Sequence, residues 1–326
     1  MIISRTPLRM SFTGGGSDIP AFYQKYGGAV ISTTIDKYVY VNVNKKFDNG
    51  IRISYSKTEE ASCVTDIEHP LVRASMEHLK LHGGIEITTI ADIPSKGTGL
   101  GSSSTFTVGL LHALNAYLGR YVTSEQLGAD SCYIEIDRCG APIGKQDQYA
   151  AAFGGFNLIE FNSDDSVVVT PIICQRETTR EIEQNIIVFF TGIARNASTL
   201  LARQSEEVSS GEAKQQVLRR MVALTHDLRR ELQNNRTHVF GEILHENWNL
   251  KKSLTNGIST AEIDEWYESA MKAGAIGGKI LGAGAGGFLM FYAPRSTHET
   301  ICSALPMLRK IDISFDPLGS RIIFYH

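Results

Sequence analysis

The sequence has no long apolar run, no marked excess of one charge and no Cys-x-x-Cys pair. A membrane-spanning helix needs about 20 mostly apolar residues in succession, so the sequence predicts no transmembrane segment and no membrane partner. Its formal net charge of −3 does not favour nucleic acid binding, which depends on a basic patch. The start of the sequence lacks the charged and then apolar layout of a signal peptide. The five cysteines, an odd number, favour a reduced, cytoplasmic compartment.

The composition and the apolar patterning indicate the fold class. The 326 residues are 42% hydrophobic and 21% charged, which is typical of a globular protein with one or two domains. Apolar and polar residues alternate over 38–44, as in a half-buried strand, and 51–55 is expected to be the neighbouring strand. Polar residues at 162–166 predict a hairpin turn. The second half reads as mostly helical before it ends in strands, so we predict an α+β protein divided into residues 1–176 and 177–326.

Glycine and serine are concentrated in the segment from Gly97 to Ser104. Glycine lets a loop turn tightly and bring backbone N–H groups against an anion. Residues 85–90 before the segment read as a strand, and apolar residues from Phe106 to Leu118 recur at helical spacing after it. The serines could cap that helix, whose positive end would point at the same anion. These features predict a phosphate-binding loop, although a glycine-rich turn before a capped helix has the same local sequence.

Two common nucleotide-binding patterns are excluded by their context. The usual P-loop ends in Gly-Lys-Ser/Thr, whereas no lysine lies between Gly97 and Ser104. The segment from Gly282 to Gly287 matches Gly-x-Gly-x-x-Gly, but a dinucleotide site needs a strand before this pattern and a helix after it. Residues 288–292 read as a strand instead, so we expect no dinucleotide cofactor.

Three separated segments resemble, in the same order, the signature motifs of the GHMP kinases, named for galactokinase, homoserine kinase, mevalonate kinase and phosphomevalonate kinase. The segments cover residues 6–18, 94–104 and 279–287. The resemblance implies a kinase that uses ATP and Mg²⁺. It implies an N-terminal domain like ribosomal protein S5 domain 2, a ferredoxin-like C-terminal domain and an active site in the cleft between them. The residues then expected to hold ATP are Lys96, Gly97, Gly99, Leu100, Gly101, Ser102, Ser103 and Ser104.

A fourth segment, residues 135–148, resembles the galactokinase stretch that ends in Gly-x-x-Asp-Gln. The resemblance places Asp147 at the family's catalytic aspartate and Arg9 at the basic residue that contacts it. It places Glu135 and Ser103 at the positions that bind magnesium. These residue types suit phosphoryl transfer, because the reaction depends mainly on positioning and charge neutralisation and Mg²⁺ prefers oxygen ligands. By themselves, Glu135 would read as a surface helix residue and Asp147 as a turn or cap residue.

The first motif departs from galactokinase, where an acidic residue and a histidine bind sugar hydroxyls. Here Gly15 and Gly16 replace them, while Asp18 is kept. The form Thr-Gly-Gly-Gly-Ser-Asp is most similar to that of bacterial kinases of D-glycero-D-manno-heptose 7-phosphate. This implies phosphorylation of the C1 hydroxyl to give the 1,7-bisphosphate for nucleotide-activated heptose. The residues expected to bind the sugar phosphate are Gly14, Gly15, Gly16, Ser17, Asp18, Arg195 and Gly284.

Several alternatives remain open at this point. Arg195 follows a predicted strand and could clamp a phosphate with two hydrogen bonds, or it could be an exposed loop arginine. The acceptor could be L-fucose or another unphosphorylated sugar. Some relatives of the GHMP kinases are non-catalytic regulators and others are decarboxylases. A regulator is expected to lose the aspartate or the loop, and both are present. We expect a monomer or a homodimer.

Overall fold

The chain folds around two β-sheets, and the computed structural model describes residues 1–93, 99–193 and 197–326. The strands are β1 Ile2–Thr13, β2 Gly28–Lys45, β3 Ile51–Ser54, β4 Thr58–Ala61, β5 Ile85–Ala91, β6 Phe156–Phe161, β7 Val167–Pro171, β8 Ile186–Phe190, β9 Gly277–Ile280, β10 Phe288–Tyr292, β11 Arg309–Ile311, β12 Phe315–Asp316 and β13 Arg321–Tyr325. The helices are α1 Pro20–Tyr26, α2 Pro70–His78, α3 Ser102–Tyr117, α4 Ser124–Cys132, α5 Gln146–Phe153, α6 Arg176–Asn185, α7 Ala197–Ser210, α8 Glu212–Gln233, α9 Phe240–Leu254, α10 Ala261–Lys272 and α11 His298–Ala304. A π-helical turn, Tyr133–Arg138, continues α4. The α+β class is confirmed.

The larger sheet is organised by the long strand β2, which pairs with β1 along one side. On its other side, its C-terminal part pairs with β5 and its N-terminal part with β6. The predicted hairpin is confirmed as β6 and β7. The expectation that residues 51–55 neighbour β2 is wrong, because β3 pairs in parallel with β5. Strand β5 lies between β2 and β3, so these two strands are close in sequence but are not adjacent in the sheet.

The smaller sheet has the order β11-β8-β10-β9 and comes from the second half of the chain. The last strands leave this half: β12 pairs with β2, and β13 pairs with β1 at the edge of the larger sheet. The C-terminal segment therefore completes the sheet that the N-terminal segment begins. A division of the chain near residue 176 stays a prediction. Strands β12 and β13 follow that division in sequence but belong to the sheet of the first half.

Helix α8 carries an apolar stripe that is buried against the core. Its buried side chains are Leu218, Met221, Leu224, Leu228 and Leu232. The opposite face of α8 carries exposed charged residues, as an amphipathic helix on a core should. In the described ranges, no helix combines the length and the apolar character needed to cross a bilayer. All five cysteines are free thiols.

Phe12, near the end of β1, joins three distant parts of the chain. Its ring is fully buried. The ring centroid lies 5.6 Å from that of Phe156 in β6, 5.2 Å from that of Phe240 in α9 and 6.2 Å from that of Phe315 in β12. One side chain thus packs the first strand against a helix of the second half and against the returning C-terminal segment.

We predict that Phe12→Ala lowers the free energy of unfolding by about 3–5 kcal/mol, because it leaves a cavity where the three rings meet. The matched control is Phe47→Ala, since Phe47 is fully exposed and its loss should change stability by less than about 0.5 kcal/mol. Urea denaturation followed by circular dichroism measures both. Equal losses in the two variants would show that Phe12 does not join the halves as described.

Candidate active site

Arg9 in β1 binds both the glycine loop and Asp147. Its Nε and Nη2 atoms lie 2.7 Å and 2.6 Å from Oδ1 of Asp147. Its Nη1 atom donates to the carbonyl oxygen of Gly99 at 2.8 Å. The arginine side chain is only 2% exposed, whereas that of Asp147 is 24% exposed. A buried guanidinium therefore fixes a carboxylate that remains open to a substrate.

The glycine loop ends in a left-handed residue from which helix α3 begins. Gly101, with φ of 76°, is the N-cap residue, and Ser102, Ser103 and Ser104 form the first turn. The expectation that a serine side chain caps this helix is therefore wrong, because a glycine without a side chain holds the N-cap position. The first-turn N–H groups have no partners within a helix and lie at its positive end, which suits an anion.

A second glycine loop, from the second half of the chain, touches the first one backbone to backbone. A Cβ atom at Gly99 would lie 2.1 Å from the carbonyl oxygen of Leu281, and one at Gly282 would lie 2.4 Å from Cα of Gly99. Both glycines have positive φ, 76° and 78°. No residue with a side chain fits so close a contact, which explains the glycines at positions 99 and 282. The segment after this loop is β10, as expected, and not a helix.

Glu135 is buried beside the first turn of α3. It lies in the π-helical turn that follows α4, and the wider turn is a local geometry often found at functional sites. Its Oε1 atom accepts from Oγ of Ser103 at 3.1 Å, and its Oε2 atom accepts from Nε2 of Gln148 at 2.5 Å. The residue is 1% exposed, and burial raises the pKa of its carboxyl group.

The donor set around Glu135 fits a magnesium ion that has few protein ligands. Among the described residues, no three His, Cys, Asp or Glu side chains form a metal-binding group. Mg²⁺ in kinases usually takes only one or two protein oxygens, together with waters and phosphate oxygens. The side chains that donate to the buried Glu135 carboxylate, those of Ser103, Ser104 and Gln148, are neutral. A cation there would therefore compensate its charge.

Asp147 lies where two cavities meet. The larger one, a cleft of about 520 Å³, is lined by Gly101, Ser103, Glu135 and the third-motif loop. The smaller one, which we call the inner cavity, has a volume of about 60 Å³ and is lined by residues that include Gly16, Asp18, Gln146 and Lys251. Arg9 and Asp147 line both. One carboxylate thus faces a space beside an anion-binding helix end and a second space beside polar groups.

The first motif builds one wall of the inner cavity. Oδ1 of Asp18 accepts from the N–H of Gly16 at 2.9 Å, and its Oδ2 accepts from the N–H of Gln146 at 3.3 Å. Burial raises the pKa of Asp18. The other expected residues of this motif do not line the cavity: Gly14 donates to Asn247, and Ser17 bonds to the backbone of Ala29. They hold the loop in place from behind.

The remaining predicted site residues have varied positions. Leu100 is buried, and its carbonyl oxygen accepts from the N–H of Arg9 at 3.2 Å. Gly284 lines the cleft and not the inner cavity. Lys96, Gly97 and Arg195 lie outside the described residues. The roles assigned to all these residues stay predictions.

Sequence reasoning missed Gln146 and Lys251 as cavity residues. Gln146 is next to Asp147 in the fourth segment, so that segment carried a signal for it. Lys251 lies in the charged surface pattern of α9 and is buried only because that helix packs behind the first motif. No local sequence feature distinguishes it from its exposed neighbours.

Comparisons with known proteins identify similar families and chains. The sequence profile of the GHMP kinases N terminal domain matches residues 69–155, and that of the GHMP kinases C terminal matches residues 228–306. The chain is 31% identical to D-glycero-alpha-D-manno-heptose 7-phosphate kinase of Campylobacter jejuni, with 93% of each covered. It is 26% identical to L-fucokinase/L-fucose-1-P guanylyltransferase of Bacteroides fragilis, over 90% of this chain but 34% of that one. The crystal structure of a D-glycero-D-manno-heptose 1-phosphate kinase from Bacteroides thetaiotaomicron has a TM-score of 0.82, at 27% identity and 100% coverage of both chains.

We predict that Gly99→Ala lowers the melting temperature and the activity more than Gly119→Ala does. Both glycines have positive φ, 76° and 68°, so both variants carry the same backbone strain of about 1–2 kcal/mol. Only the Gly99 variant also meets a neighbouring backbone, since nothing lies within 4 Å of a Cβ at Gly119. Thermal unfolding and steady-state kinetics measure the difference. Equal effects would mean that the contact between the two glycine loops is not needed.

Proposed function

Because this chain belongs to the GHMP kinases and is an ATP-dependent phosphotransferase, we propose that its acceptor is D-glycero-D-manno-heptose 7-phosphate. The γ-phosphoryl group of ATP is transferred to the C1 hydroxyl, giving ADP and the 1,7-bisphosphate from which nucleotide-activated heptose is made. The similarity to the Campylobacter enzyme over 93% of both chains supports this acceptor. The partners are then ATP and a small sugar phosphate, and a monomer or homodimer remains our expectation.

The observation that carries the proposal is the position of Asp147 between the two cavities. The large cleft lies at the N-terminal end of α3, where the triphosphate of ATP would bind. The end of the acceptor that carries the reacting hydroxyl would lie at the inner cavity. Its C1 hydroxyl would then face the carboxylate of Asp147, which orients it and accepts its proton as the new O–P bond forms and the bond to ADP breaks. Arg9 holds that carboxylate and adds positive charge beside the transferred group.

Glu135 and Ser103 are the residues that would hold Mg²⁺. When bound, the ion neutralises charge on the phosphate oxygens. Gln148 donates to Oε2 of Glu135, the carboxylate oxygen that does not bind Ser103. This outer hydrogen bond would fix the direction in which the carboxylate presents its free lone pairs.

A second candidate acceptor is L-fucose. The similarity to the Bacteroides fragilis fucokinase supports it, at 26% identity over 90% of this chain. Fucose carries no phosphate, so the two candidates differ in the charge of the group that lies far from the reacting hydroxyl. A comparison of phosphorylated and unphosphorylated acceptors separates them.

We predict that Asp147→Asn reduces kcat by about 10²–10⁴-fold and leaves the affinity for Mg-ATP nearly unchanged, because the amide cannot accept the hydroxyl proton. The control is Asp137→Asn, an exposed carboxylate in the same region of the chain, which should retain full activity. Turnover is measured by ADP release and nucleotide affinity by calorimetry. If Asp147→Asn turns over within about tenfold of the parent protein, Asp147 does not have the catalytic role.

The acceptor itself is tested with a panel of heptose 7-phosphate, heptose 1-phosphate, unphosphorylated heptose and L-fucose. We expect the highest kcat/KM for the 7-phosphate, with the new phosphate on C1 by phosphorus NMR. The 1-phosphate is included because its C1 hydroxyl is already blocked. A higher kcat/KM for fucose, or a new phosphate on another carbon, would overturn the proposed acceptor and leave the kinase assignment intact.

A further inference from the structure

Two buried lysines of the second half of the chain bind carbonyl oxygens at the end of the first strand and just beyond it. Lys279 in β9 donates from Nζ to the carbonyl oxygens of Ser11 and Phe12, at 2.9 Å and 3.2 Å. Lys251 in α9 donates from Nζ to the carbonyl oxygen of Gly15 at 3.1 Å. Lys251 is 5% exposed and Lys279 is 4% exposed. The two lysines are therefore matched in burial and in the type of acceptor they bind.

They differ in what they face. Lys251 lines the inner cavity, whereas Lys279 lines neither the cleft nor the inner cavity. Lys279 has two carbonyl acceptors within 3.2 Å. The second acceptor of Lys251 is Oε1 of Gln204 at 3.5 Å, which is at the limit of a hydrogen bond. An ammonium has three protons to donate, so within the described part of the chain Lys251 keeps donor capacity toward the cavity.

Other polar atoms around Lys251 are also unsatisfied. Gln204 is fully buried, and its Nε2 atom has no hydrogen-bond partner among the described residues. This atom lies 2.4 Å from the position that a Cβ at Gly16 would take, beside the cavity wall. Oε1 of Gln146, a cavity-lining residue, is buried and also without a partner in those residues. Buried polar atoms cost free energy unless they are paired, so a polar ligand is expected here.

The charges around the inner cavity indicate which kind of ligand it would bind. Arg9 is paired with Asp147, and the carboxylate of Asp18 accepts two backbone N–H groups. Lys251 lies close enough to Asp18 for their charges to interact. Burial lowers the pKa of Lys251 to about 8, and Asp18 opposes that shift. The two acidic and two basic side chains that line the cavity balance in charge, so the cavity suits neutral hydroxyls more than a second phosphate.

We propose that Lys251 is a specificity-determining residue, which donates a hydrogen bond to one hydroxyl oxygen of the acceptor sugar while Asp18 accepts from a neighbouring hydroxyl. The inference rests on the proposed function, because it takes the inner cavity as the acceptor site. An ammonium and a carboxylate side by side select two hydroxyls by their relative position. A sugar with one of them inverted or removed leaves a buried charge unpaired.

The test compares Lys251→Met with Lys279→Met in the full-length protein, using the best acceptor from the panel above. For Lys251→Met we expect KM for the sugar to rise at least about tenfold, KM for ATP to change less than about twofold and kcat to change less than about threefold. For Lys279→Met we expect a lower melting temperature with both KM values unchanged. Because the acceptor is whichever sugar the panel selects, failure of the heptose assignment and failure of the Lys251 assignment are distinguishable.

Two results would overturn the assignment. In one, both lysine variants change stability alone, or change both KM values equally. In the other, Lys251→Met affects only phosphorylated acceptors, which would mean that the ammonium binds the distal phosphate and not a hydroxyl. If Lys251→Met does not fold, Lys251→Gln is used, and the parent protein is assayed with monodeoxy acceptors. If no monodeoxy acceptor has a KM at least about tenfold higher than the intact sugar, the proposal is also contradicted.

Discussion

The site depends on one buried guanidinium that holds three parts of the structure together. Arg9 is fixed in β1, binds the carboxylate of Asp147 at the start of α5 and binds the carbonyl oxygen of Gly99 in the glycine loop. These contacts place a carboxylate beside the end of α3 without burying it. Without the arginine, the carboxylate would have no fixed direction and the loop carbonyl would lose its donor. The proposed geometry of phosphoryl transfer follows from where these elements meet.

The two halves of the chain complete each other around this point. The second half supplies a glycine loop that packs against Gly99, and two lysines that bind carbonyl oxygens at and beyond the end of β1. The first half receives its edge strand β13 from the end of the chain. The walls of both cavities therefore come from segments that are far apart in sequence. In this candidate site Arg9 is buried, whereas Asp147 stays partly exposed where a substrate would enter.

The sequence predicted the local features of the candidate site, and the roles given to its residues stay predictions. In the glycine loop, in the helix after it and in the segment with Asp147, the order of the residue types is itself distinctive. The serine cap was wrong because Gly101 adopts a left-handed conformation and takes the N-cap position itself. Lys251 and the return of β13 to the first sheet could not be predicted, because both depend on tertiary contacts between residues more than 200 positions apart.

The central claim is that Arg9 and Asp147 act as one unit, and a double-mutant cycle on kcat/KM tests it most directly. Arg9→Met, Asp147→Asn and the double variant are compared with the parent protein using the same acceptor and saturating Mg-ATP. If the two residues act as one unit, the loss in the double variant is clearly smaller than the product of the two single losses. If the two losses multiply, the residues act independently, and the role given to this contact is wrong.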